Sequence, residues 1–88
     1  MRVVFRDSFA KDLKAVKVKG HLKKVQEVIE SVEKADSFTE VSNLKKLKGG
    51  GNYFRVRIGD YRVGLALEDE SVVFVRFLNR KDIYNQFP

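Results

Sequence analysis

Residues 53–68 read YFRVRIGDYRVGLALE, and their alternation decides the fold. Successive residues of a strand point to opposite faces, so Phe54, Val56 and Ile58 share one side while Tyr53, Arg55 and Arg57 share the other. Gly59-Asp60 is a two-residue hairpin signal. A turn of that length sets Arg57 opposite Arg62, Arg55 opposite Gly64 and Tyr53 opposite Ala66. The complementary set, Phe54, Val56, Ile58, Val63, Leu65 and Leu67, is wholly apolar and requires a cover of helices. The arginines therefore fall on the side predicted to be open.

Working outward, Leu44 to Lys48 reads as a short strand, and Gly49-Gly50-Gly51-Asn52 as a permissive turn leading into residues 53–58. Downstream, Asp69 to Ser71 forms a turn, and Val72 to Leu78 is a nearly all-apolar strand predicted to lie inside the sheet. A charged tail, Asn79 to Pro88, follows. At the other end, residues 2–6 (RVVFR) read as a strand. Asp7 or Ser8 can cap a helix in which Phe9, Leu13 and Val16 recur at helical spacing, and Gly20 or the segment before it ends that helix. Leu22, Val25, Val28, Ile29 and Val32 make the apolar stripe of a second helix that runs from His21 to near Ala35. Asp36 to Asn43 is a loop or single turn pinned by Phe38 and Val41. The order predicts an α+β fold: an N-terminal strand and helical hairpin packed on one face of an antiparallel meander, β-α-α-β-β-β-β, with residues 1–88 forming one domain.

Composition narrows the function. A chain of 88 residues is too short for two cores, and 43% hydrophobic residues with seven Phe suffice for one. The apolar start is cut short by Arg6 and Asp7, so neither a signal peptide nor a membrane span is expected. With no Cys, the cytoplasm is the expected compartment. The net charge of +6 favours an anionic partner. Ten of the eleven Lys lie between Lys11 and Lys48, whereas the Arg are Arg2, Arg6 and five between Arg55 and Arg80. Arg is the fork-shaped donor that matches phosphate oxygens, so the second half of the chain is where a polyanion is expected.

Two guanidinium groups directly opposite on a sheet, Arg57 and Arg62, cost some tenths to roughly 1 kcal/mol, which invites an anion between them. Gly64 and Ala66 keep the neighbouring surface low enough for a nucleic-acid backbone to approach, with Tyr53 at the margin and Lys48 nearby. A three-residue turn after Glu68 would place Arg76 opposite Gly64 on the same face; a two-residue turn would send it elsewhere. Arg80, Lys81 and Tyr84 add two cations and an aromatic beside the strand that carries Arg62. Base stacking on an aromatic next to phosphate-binding Arg is a recurrent way to hold single-stranded RNA. Tyr84 reads equally well as an anchor for the C-terminus, together with Phe87. His21, the only histidine, is expected at the surface or as a cap. No His, Asp or Glu pair has metal-ligand spacing, so no metal is expected. The glycine run lacks the Lys-Ser/Thr of a phosphate-cradling loop, and the lysines of the two helices read as solvated surface.

The run LKKLKGGGNYFRVRIGDYRVGLALEDESVVFVRFLNRKDIY, residues 44–84, closely resembles the RelE branch of the RelE/ParE toxin superfamily. The specific part is the ordered series Leu-x-Gly, Tyr-x-Arg-x-Arg, Gly-Asp-Tyr-Arg and Arg-Lys-Asp-x-Tyr. The resemblance implies a toxin of a type II toxin-antitoxin system that cleaves mRNA in the ribosomal A site, without metal or other cofactor. It implies as partners a cognate antitoxin, mRNA and the ribosome. It also implies catalytic roles for Arg55, Arg57, Arg62, Arg80 and Tyr84; Lys48, Tyr53, Arg76 and Lys81 are the further RNA-binding candidates. Many members carry Gly-His ahead of the arginine that follows the last strand, and this chain has Leu78-Asn79, so a histidine base there is missing. Two alternatives stand beside this reading: a ParE-like toxin that inhibits gyrase without nuclease activity, and a non-toxic RNA-binding module.

Overall fold

The computed structural model describes residues 1–17, 19–49 and 51–87. Its strands are β1 (Arg2–Phe5), β2 (Leu44–Lys46), β3 (Tyr53–Ile58), β4 (Tyr61–Glu68) and β5 (Ser71–Asn79). Its helices are α1 (Asp7–Ala15), α2 (Lys19–Lys34) and α3 (Arg80–Gln86), with a 3-10 turn at Phe38–Glu40. The strands form one sheet in the order β1-β5-β4-β3-β2. The meander from β2 to β5 is antiparallel, and β1 adds parallel to β5, pairing Arg2 with Ser71 and Phe5 with Phe74. The predicted α+β class therefore holds, and β5 lies inside the sheet as its run of apolar residues requires.

One face of the sheet carries the main core. Val56, Ile58, Val63, Leu65, Val72, Phe74 and Phe77 meet Phe9 of α1, Val25 and Val32 of α2, and Phe38 and Val41 of the turn segment. All are buried, and Phe74 and Val63 are fully so. Phe5, Phe9 and Phe74 stack with centroids 5.3 to 6.0 Å apart, a geometry that adds to simple area burial. The 3-10 turn is held by a reciprocal cap, the Glu40 carboxylate accepting from the Asp36 and Ser37 backbone N–H groups.

Several local expectations are corrected. The N-cap of α1 is Arg6, with no side-chain bond. Ser8 instead donates its hydroxyl to the Val75 carbonyl at 2.6 Å, which draws it away from capping. Helix α1 stops at Ala15 because Val16 turns extended, so the segment before Gly20 ends it as one of the two expected breaks, and Gly20 itself falls inside the first turn of α2. Strand β2 is shorter than predicted, ending at Lys46, although the Leu47 N–H still reaches the Tyr53 carbonyl at 2.9 Å. Gly49 and Gly51 have positive φ, as a hairpin turn there demands; the Gly50 part of that turn lies outside the described residues.

The largest correction concerns the second face. It is not open: the tail forms α3, which packs across it. Ile83 and Phe87 are buried there with Ala66 and Val73, forming a second, smaller apolar layer. The tail's polar composition hid a helix because only two of its side chains are needed as anchors.

Candidate nucleic-acid interface

Strands β3 and β4 pair in the predicted register, with Arg57 opposite Arg62, Arg55 opposite Gly64 and Tyr53 opposite Ala66. The positive φ of Gly59 forms the turn that sets it. Helix α3 begins directly after β5, its Arg80 N–H donating to the Asp60 carbonyl in that same turn at 2.8 Å. Asn79 caps it, its side-chain oxygen accepting from the Lys81 N–H at 3.0 Å. Arg80 is thereby fixed beside the Arg57–Arg62 pair, and Tyr84 one helical turn further along. Tyr84 is 69% exposed, whereas Phe87 is 5% exposed. Of the two aromatics, Phe87 is the anchor and Tyr84 is available to a ligand.

Arg62 is the one buried charged residue among those described, at 8% exposure. Its Nη1 donates to the Gly59 and Tyr61 carbonyls, both at 2.9 Å. Its Nε is buried without a partner, a deficit that typically costs about 1–3 kcal/mol. Burial holds its pKa below the usual arginine value, and the charges of Arg55, Arg57 and Arg80 lower it further, while Tyr84 opposes them. A guanidinium remains protonated regardless. The outcome is a cation held against repulsion, a standing preference for an anion that would relieve it.

Beside this cluster, Lys45, Lys46, Leu47, Lys48, Arg55, Ile83, Tyr84 and Phe87 line a cleft of about 560 Å³. Lys45 is the direct cross-strand partner of Arg55. It is a basic contributor that the sequence reading missed, because the glycine turn left the β2–β3 register undefined. Lys48 lines the cleft as well, and Lys81 is exposed on α3. Tyr53 packs edge-on against Phe87 with centroids 5.6 Å apart, so it supports the surface from within.

Three expectations change here. The low surface at Gly64 is already filled: a Cβ added there would lie 3.0 Å from three atoms of the Phe87 ring. The approach foreseen for an RNA backbone is made by the protein's own C-terminus. Arg76 does stand opposite Gly64, but through a two-residue turn, because the register shifts between Gly64 and Leu65 and leaves Val75 as an extra residue. Its guanidinium grips the Asp12 carboxylate, Nε to Oδ2 at 2.7 Å and Nη2 to Oδ1 at 3.1 Å. That bond raises its pKa. Asp12 also accepts from the Phe77 N–H at 2.9 Å. Arg76 thus ties α1 to β5 and stands apart from the cationic cluster. His21 differs too: it is half-buried with its ring 4.8 Å from that of Tyr61, on the opposite side of the turn region from Tyr84.

Among the described residues, no group of three or more His, Cys, Asp or Glu could hold a metal ion, and no helix is long and apolar enough to cross a membrane. The Asn79 cap was legible: Asn79-x-x-Asp82 at the start of a helix is a capping pattern.

Comparison with known proteins bears on the family and the fold. Residues 3–84 match the family described as ParE toxin of type II toxin-antitoxin system, parDE. The chain is 40% identical to toxin RelE3 of Methanocaldococcus jannaschii, with full coverage of both. It superposes on the toxin of the RelB-RelE antitoxin-toxin complex from Methanococcus jannaschii with a TM-score of 0.83 and 36% identity, covering 97% of this chain and 99% of that one. The archaeal RelE-RelB complex from Pyrococcus horikoshii OT3 gives a TM-score of 0.70 at 26% identity, covering 90% and 93%.

Proposed function

The chain belongs to the RelE branch of the RelE/ParE superfamily and is a toxin of a type II toxin-antitoxin system; from that premise we propose that it cleaves mRNA in the ribosomal A site without a metal. The observation that carries the reading is the gathering of Arg55, Arg57, Arg62 and Arg80 beside an exposed Tyr84 on one sheet face.

The chemistry follows from what these groups can do. The ribose 2′-hydroxyl attacks the adjacent phosphate as its proton passes to water, and the 5′-oxygen of the next nucleotide departs as it takes a proton from water, giving a 2′,3′-cyclic phosphate or, once water has added to it, the opened product. Arginine stays protonated and cannot take the first proton. It can bind the non-bridging oxygens and stabilise the charge that accumulates on them in the transition state. Arg62 and Arg80 clamp the scissile phosphate in this scheme, while Arg55 and Arg57 ease ionisation of the attacking hydroxyl or neutralise the leaving oxygen. Tyr84 stacks on a base and assists proton transfer. A site without a strong base depends on how its substrate is aligned, a physical reason for activity on the ribosome and weak activity on free RNA.

By analogy with the RelB-bound relatives, a cognate antitoxin masks the toxin, and an acidic segment of it would complement the +6 charge. A gyrase-directed action has one observation in its favour, the ParE description of the matching family. Mapping mRNA ends on programmed ribosomes, with ribosome-free mRNA and Arg62→Ala alongside, tests the proposal. Cuts at A-site codons that are absent from ribosome-free mRNA and vanish in the variant are expected. Intact mRNA with folded protein would overturn it, and inhibition of gyrase supercoiling would then identify the alternative.

A further inference from the structure

We infer that Asn79 and Phe87 are positioning residues: they pin the two ends of α3 to the sheet and so hold Arg80 and Tyr84 in register with Arg62. This deepens the nuclease reading and rests on it for its catalytic part.

Helix α3 has seven residues, far fewer than an isolated helix needs to persist in water. Its order must come from attachments, and these can be enumerated. At the start, the Asn79 side chain caps the Lys81 N–H, and the Arg80 N–H is bonded to Asp60 of the hairpin turn. At the end, Phe87 fills the space over Gly64, in the middle of β4, and meets Tyr53 edge-on. Between them Ile83 is buried at 2% exposure. A weaker contact runs from Arg76 to Gln86 at 3.4 Å.

These attachments fix the helix's rotation as well as its position. Positions 80, 83 and 84 recur at helical spacing and share one side, and Phe87 follows the helix as its C-cap in extended conformation. Burying Ile83 and Phe87 consequently turns Arg80 and Tyr84 toward the arginines of β3 and β4. The glycine at 64 is what lets the Phe87 ring come down onto the strand, so the seat and the ring form a matched pair. The Asn79 side chain works as the cap that starts the helix.

Loss of either attachment leaves Arg55, Arg57 and Arg62 on their strands, where they still attract RNA. The expected signature is a fall in kcat with KM little changed. The experiment compares wild type, Asn79→Ala, Asn79→Ser, Phe87→Ala and Phe87→Leu in cleavage of mRNA on programmed ribosomes, and follows hydrogen exchange of residues 80–87 in the same proteins. Phe87→Ala and Asn79→Ala are expected to lower kcat tenfold or more, to shift KM less than threefold, and to speed exchange in that segment alone. Phe87→Leu, which still fills the seat, and Asn79→Ser, which still offers a capping oxygen, are expected to recover most of both readouts. Alanine variants that match wild type in kcat, or conservative variants that fail to recover it, would overturn the positioning role. Exchange of residues 80–87 unchanged by Phe87→Ala would overturn the docking itself, whatever the activity. A wild-type protein that leaves mRNA intact would instead overturn the nuclease reading and the catalytic part with it, while the exchange data would still decide the docking.

Discussion

The two faces of the sheet are built from the same strands to opposite ends. The face under α1 and α2 is mainly apolar, with Phe74, Val63 and Leu65 fully buried, and its packing supplies most of the cohesion of the fold. The face under α3 is only partly sealed: Ile83 and Phe87 close one portion, and the remainder presents four guanidinium groups to one another. Alternation along β3 and β4 produces both at once, since each residue that stabilises one side is followed by one that serves the other. A binding surface for an anion can therefore be carried at little risk to folding, because the opposite surface supplies the cohesion.

The contrast can be broken most severely at its apolar side. Phe74→Ala, which empties the centre of the Phe5–Phe9–Phe74 stack, is expected to cost about 3–5 kcal/mol in urea unfolding, a large share of the total for a domain of this size. At the cationic face the signature reverses. Arg62→Ala is expected to cost roughly 100- to 1,000-fold in cleavage, while the same urea measurement moves by less than about 1 kcal/mol, because two lost carbonyl bonds are offset by relief of desolvation and repulsion. Salt should expose the same frustration: as Arg62 stays charged at ordinary pH and sulfate keeps its charge there, the stabilisation of wild type by added sulfate, followed by Tm, is expected to vary little between pH 6 and 8 and to shrink in Arg62→Ala.

Gly64→Val sharpens the boundary between the two regimes. Its added carbons collide with the Phe87 ring on one side of β4 and leave the core on the other intact. A loss of about 1–3 kcal/mol is expected, with hydrogen exchange accelerated in α3 and unaltered in α2. The smallest effect is expected at Lys45→Ala, opposite Arg55. There the dependence of log affinity for ribosomal RNA on log salt should flatten by about one, with stability unchanged.

The hairpin of residues 53–68 was legible to the residue because two constraints agree: a two-residue turn sets the register, and alternation assigns the faces. Where one constraint was absent, reading failed in a characteristic way. The glycine turn before β3 left the register of β2 open, so Lys45 went unnoticed while Lys48 was chosen on charge alone. The turn at Asp69-Glu70 was short, yet the extra residue Val75 restored Arg76 to the opposite-Gly64 position; a bulge leaves no trace in hydrophobic alternation. The charged tail carries no helical signal because α3 buries only Ile83 and Phe87, too few for an apolar stripe. Gly64 itself was interpreted correctly as a place of close approach and assigned the wrong visitor.

The position of β5 has a consequence for the order in which the protein can be assembled during synthesis. This strand is made after every other strand, yet it lies between β1 and β4. The N-terminal strand accordingly finds its partner only when residues 71–74 have emerged, and pairings so distant along the chain are slow to form. Arg55, Arg57 and Arg62 can meet earlier in a local hairpin, but Arg80 and Tyr84 arrive later still, behind β5. A nascent chain therefore carries an incomplete cationic face until residues 80–84 have emerged and folded onto the sheet.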